Sequence, residues 1–152
     1  DTKKIYGFNY RMTEIQAVIG KEQLKKLNYI ILENKRRYLA IDKILGKYLE
    51  KRIIPKGSDL IYDTYIFFIR NKSQKKQAID LLNNLKFGTK NLPDAIEWHC
   101  TFYWNHAISK KNISHSKKSK DLLKTSIAIP IQLKKTINEY KNLAKELKKI
   151  FE

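Results

Sequence analysis

Three histidines, His99, His106 and His115, fall in one stretch of the chain, and imidazole is the side chain best suited to metal ligation or proton transfer near neutral pH. A zinc site would need a cysteine or carboxylate at ligand spacing from them, and the stretch offers none, so no metal is expected. Cys100 is the only cysteine, which excludes an internal disulfide and is consistent with a reducing, cytoplasmic setting. There is no Gly-rich phosphate loop, no H-E-x-x-H and no G-x-S-x-G. Two clusters remain. Trp98-His99 and Trp104-Asn105-His106 set flat apolar rings beside hydrogen-bonding groups, and the segment from Tyr6 to Arg11 holds Asn9 and Arg11 among aromatic residues. The residue types alone assemble no catalytic constellation. Each cluster also has a plain structural reading: tryptophans in a core, histidines capping a loop, an asparagine closing a turn on its own backbone, and an arginine tying that turn to a helix.

The elements that must position these clusters are read from periodicity. Residues 1–12 form an irregular lead-in broken at Gly7, after which Thr13 and Gln16 have the spacing of a capping box. From there Ile15, Ile19, Leu24, Leu27, Ile31, Tyr38, Ile41, Leu45 and Leu49 recur near every 3.6 residues, predicting one long helix or a kinked pair to about residue 50. Such a length suits a connector between two bodies. Pro55, Gly57 and Ser58 signal a turn, and the aromatic and β-branched run 60–69 is the clearest strand. Ser73 opens a helix with Ala78, Ile79, Leu82 and Leu85 on one face, and Gly88 stands where a left-handed cap would end it. Pro93-Asp94 marks a turn, residues 110–120 read as a polar loop, and Ile127 to Ile131 as a short strand that Pro130 confines to an edge or an end. Thr136 and Glu139 form a second capping box before a helix with Tyr140, Leu143, Leu147 and Ile150 on one side. The sequence has no internal repeat. The fold class is therefore α/β.

With 152 residues and 42% apolar content, the chain can bury one core and has no room for a second. No apolar run is long enough to cross a bilayer, so no membrane partner is expected. A net charge of +17 raises the possibility of nucleic acid, but Lys dominates, with Arg only at positions 11, 36, 37, 52 and 70. Lysines scattered on helix faces read first as a solvated surface, which disfavours a nucleic-acid partner.

The run Tyr6-Gly7-Phe8-Asn9-Tyr10-Arg11-Met12-Thr13-Glu14-Ile15-Gln16-Ala17 resembles the G-[FY]-N-Y-R-M-[ST]-E-[IL]-Q-A signature of the DegT/DnrJ/EryC1/StrS aminotransferases. These are fold type I enzymes that use pyridoxal phosphate (PLP) to aminate keto sugars. The segments Gly20 to Leu27 and Ala128 to Ile131 resemble the family in the same order, so the likeness spans nearly the whole chain. It implies a C-terminal portion of such an enzyme: a loop from a large domain (residues 1–12), then a connecting helix and small domain (residues 13–152). That small domain would be a mostly antiparallel sheet covered by helices on one side.

The resemblance also implies roles. In the family, the asparagine matched by Asn9 reaches the cofactor phosphate of the neighbouring subunit of a homodimer, and an amide can donate to phosphate oxygens. Arg11 matches a position from which a guanidinium could reach the cofactor region or fork onto a substrate carboxylate, or else secure the loop. Trp98, His99 and His106 fall where family members face the sugar. The Trp-His pair, in place of the common His-Tyr, resembles the 8-amino-3,8-dideoxy-octulosonate transaminase branch. The expected reaction moves an amino group from glutamate to a keto sugar in surface polysaccharide biosynthesis, with the cofactor as electron sink. The family's Schiff-base lysine lies upstream of the matched loop, so no catalytic residue is expected within these 152 residues and the piece alone should be inactive. The competing readings are a basic nucleic-acid-binding module and a truncated, non-catalytic homologue kept for dimerisation.

Overall fold

The computed structural model describes residues 11–152; Asn9 and the rest of residues 1–10 lie outside the described part. The Thr13 capping box forms as expected, with the Gln16 amide N donating to Thr13 Oγ1 at 3.3 Å and the Thr13 amide N donating to Gln16 Oε1 at 2.9 Å. It opens α1 (Glu14–Lys25), which buries no residue. The long periodic stretch is a pair, since the Lys26 amide donates to the Gln23 carbonyl three residues back and the α-helical pattern is interrupted there before α2 (Leu27–Leu45). Burial divides the apolar stripe further on, inside α2, since Leu27 is still 43% exposed. Ile15, Ile19 and Leu24 are exposed, whereas Ala40, Ile41 and Leu45 are buried.

A three-stranded, wholly antiparallel sheet runs in the order β1 (Glu50–Lys51), β2 (Thr64–Phe68), β3 (Ser126–Pro130). Strand β2 is central and shorter than the apolar run that announced it. Tyr62 takes a positive φ of 57°, which ends the extended backbone two residues before Thr64. In register, Tyr65 faces Ile129 and Phe67 faces Ile127, and all four are fully buried. Pro130 closes β3 at both a strand end and a sheet edge, as its missing N–H requires. The outer side of β3 is covered by the chain itself: the Lys90 amide donates to the Ala128 carbonyl, and the Ala128 amide to the Leu92 carbonyl.

Helix α3 (Lys72–Asn84) starts one residue before the expected Ser73, because the Asn71 side chain accepts from the Ser73 and Gln74 amides. Its end differs as well. Gly88 has positive φ, but the left-handed cap is Lys86 (φ 57°), with the Lys86 amide donating to the Asn83 carbonyl and the Phe87 amide to the Leu82 carbonyl. That pair of bonds is the Schellman arrangement, and the buried Phe87 supplies its apolar contact. The last helix, α7 (Ile137–Phe151), begins at the second capping box and buries Tyr140, Leu143, Ala144 and Leu147.

Helices α2, α3 and α7 share one apolar cluster with Tyr65, Phe67, Ile127 and Ile129, so the helices cover the sheet on that side. Two buried polar contacts pin the layers. The Tyr140 hydroxyl donates to the Pro130 carbonyl (3.0 Å) and accepts from the Gln132 amide (2.7 Å), and burial holds its pKa above the usual tyrosine range. Arg37, 8% exposed, donates to the Lys135 and Leu133 carbonyls and to Glu33, tying α2 to the segment before α7. The guanidinium of Arg37 in turn lowers the pKa of Glu33.

Candidate substrate cavity

Between α3 and β3 the chain makes α4 (Ile96–His99), a single 3₁₀ turn (Thr101–Tyr103), α5 (Lys110–Ser114) and α6 (Lys117–Thr125). The expectation of an irregular polar loop over 110–120 is therefore corrected. Lysine is a good helix former, and the half-buried Ile113 and Leu123 give these two short helices their anchors without a long apolar period. Cys100, buried at 3% exposure, sits at the joint between α4 and the 3₁₀ turn. Its amide donates to the Ile96 carbonyl and its carbonyl accepts from the Tyr103 amide, so the turn folds back over α4.

This fold-back makes a cavity of about 720 Å³ lined by Glu97, Trp98, Tyr103, Trp104, His106 and Ala107. The indole N–H of Trp104 donates to the Glu97 carbonyl at 3.1 Å, which fixes that ring as a wall. The ring of Trp98 is 80% exposed, the opposite of a core tryptophan, and offers a flat face at the mouth. Beside the rings stand an imidazole, a phenol and a carboxylate that can exchange hydrogen bonds with hydroxyls. Such a mixture of aromatic faces with a few polar groups suits a polyhydroxylated ring.

Of the residues nominated from sequence, the structure brings Trp98 and His106 together. His99 is exposed and does not line the cavity, and neither does Arg11, exposed just ahead of α1. Glu97, Tyr103 and Ala107 were missed; Trp104 was noted only as a companion of His106. No spacing rule marks them, because they meet through the turn after Cys100. Among the described residues no group of His, Cys, Asp or Glu could hold a metal ion. Nor does the lining fit a phosphorylated cofactor, since it contains a carboxylate and no ammonium or guanidinium.

The profile of the DegT/DnrJ/EryC1/StrS aminotransferase family matches residues 2–148, and the chain belongs to that family. Among solved structures it is similar to a protein of Streptococcus pneumoniae described as a sugar aminotransferase in its PMP form, with a TM-score of 0.63 and 16% identity. The likeness covers 90% of this chain and 36% of that one, so the chain spans about a third of the solved protein and corresponds to part of an aminotransferase fold. No curated protein matches. No helix among the described residues is long and apolar enough to cross a membrane.

Proposed function

We propose that the chain is the C-terminal part of a cytoplasmic, PLP-dependent sugar aminotransferase that moves an amino group from glutamate to a keto sugar for surface polysaccharide. The family match over residues 2–148 carries this reading, and the PMP form of the structural neighbour supports the cofactor. Residues 1–12 are then a loop leaving a large domain, and residues 13–152 the connecting helices and small domain. The uncovered apolar side chains of α1 support that division, because Ile15, Ile19 and Leu24 are exposed here and would be covered by a second body.

In this reading the chain binds and orients. Trp98 and Trp104 hold the sugar ring by its apolar faces, while His106 and Glu97 exchange hydrogen bonds with its hydroxyls. Asn9 and Arg11 belong to the approach toward a cofactor in the other protomer of a homodimer. The octulosonate branch is the narrower form of the proposal and rests on the Trp98-His99 pair, of which only Trp98 lines the cavity.

The test uses the full-length enzyme with glutamate and a panel of keto sugars. Transfer to at least one of them is expected; Trp98→Ala should raise KM for the sugar by about 10-fold, roughly 1.4 kcal/mol, with bound PLP unchanged. Asn9→Ala should instead loosen PLP. No transfer to any sugar by a PLP-loaded enzyme, or a Trp98→Ala variant with unaltered KM, would overturn the reading.

A further inference from the structure

Charge is divided unevenly along this chain. Between Glu97 and Glu139 the only carboxylate is Asp121, while Lys110, Lys111, Lys117, Lys118, Lys120 and Lys124 crowd α5 and α6. The lysines that form ion pairs, at 25, 51, 90, 135, 148 and 149, all stand elsewhere. The Nζ of Lys75 donates to the Lys124 carbonyl, which brings the first turn of α3, with Lys72 and Lys76, against the end of α6. The start of α3, α5 and α6 together carry nine lysines and one carboxylate, Asp121. Uncompensated like charge on a folded surface costs stability, so the arrangement asks for an anionic counterpart.

Two features select the kind of anion. Leu122 is 50% exposed within α6 and lies one turn from Lys118 on the same face, so an apolar side chain projects beside an ammonium group. Arginine, whose planar fork reads phosphate and base edges in nucleic acids, is absent from all three helices. Lysines whose stems run along an apolar residue while their heads remain wet match a layer of anionic headgroups over hydrocarbon. We infer that the face formed by α5, α6 and the first turn of α3 seats on an anionic lipid surface. Lys120 links this face to the cavity, because its Nζ lies 3.7 Å over the Phe102 ring, which meets Tyr103 edge-on. Seating therefore holds the substrate cavity beside the bilayer surface without any spanning segment. The inference stands independently of the amino-transfer reading.

Flotation of the full-length protein, in which the apolar side of α1 is covered, with vesicles tests it. The chain should float with vesicles of three parts phosphatidylcholine to one part phosphatidylglycerol, not with phosphatidylcholine alone, and salt should release it. The triple change Lys117→Gln, Lys118→Gln, Lys124→Gln should weaken partition at least ~10-fold, whereas Lys56→Gln, Lys141→Gln, Lys145→Gln, an equal loss of charge elsewhere, should weaken it less than about 3-fold. Leu122→Ser should remove the binding that survives in higher salt. Circular dichroism of both triple variants checks that each remains folded. Four results would each overturn the proposal: no binding to the anionic vesicles, equal binding to neutral ones, equal losses in the two triple variants, or tighter binding to a DNA duplex at matched phosphate concentration.

Discussion

Helices α1 and α7 begin in nearly the same way and end up in opposite surroundings. Each opens on a threonine whose hydroxyl accepts from the amide three residues on, with Gln16 or Glu139 closing the box in return. Yet α7 buries Tyr140, Leu143, Ala144 and Leu147 against α2, α3 and the sheet, and α1 buries nothing. A local signal sets where a helix starts; whether its apolar side is covered depends on what the rest of the protein supplies.

The largest break in that contrast comes from side-chain truncation. Leu143→Ala should cost about 2–5 kcal/mol in urea unfolding of this chain, through lost burial and the cavity left behind. Ile15→Ala, at a position 74% exposed, should stay within about 0.5 kcal/mol. If Ile15→Ala proved as costly as Leu143→Ala, the claim that α1 lacks cover would fail. A smaller difference should separate the caps. Thr136→Ala is expected to lower global stability by about 1 kcal/mol, whereas Thr13→Ala should only speed amide exchange in the first turn of α1.

The smallest effect is one of pH. The pKa of Glu139 is lowered, chiefly by the hydrogen bond from the Thr136 amide. A carboxyl whose folded pKa is depressed adds stability that is present above its unfolded value, near about 4.3, and lost as the pH falls through the folded one. Acid should therefore loosen the first turn of α7, read as a smaller protection factor against exchange at the Thr136 amide. The Gln16 amide does not titrate, so the bond it accepts from the Thr13 amide should not be lost in acid, and Glu139→Gln should abolish the acid step in α7.

Much of this architecture was legible from residue order. Both capping boxes, the central strand and the final helix follow from short-range chemistry that tertiary contacts only reinforce. The break at Lys26 was not resolved, because the apolar period continues through it and burial sets in only further on, within α2. Lys86 hid the end of α3, since a lysine at positive φ gives no compositional sign, whereas Gly88 gave a false one. Strand β1 has two residues, too few for any alternation to be read. The site was half visible: unusual residue types marked Trp98 and His106, while Glu97 and Tyr103 join them through a fold-back that no linear spacing encodes.

The backbone bonds from residues 90 and 92 to Ala128 have a bearing on how the protein behaves when concentrated. Strand β3 carries Ile127 and Ile129, and a buried apolar strand whose flank is bare can recruit further strands, though Pro130 blocks its end. That flank is taken, and the opposite margin of the sheet is only Glu50 and Lys51, short and charged. Self-templated polymerisation would therefore first require peeling away the segment around Leu92, so solubility depends on a connection between elements as much as on the charge of the surface.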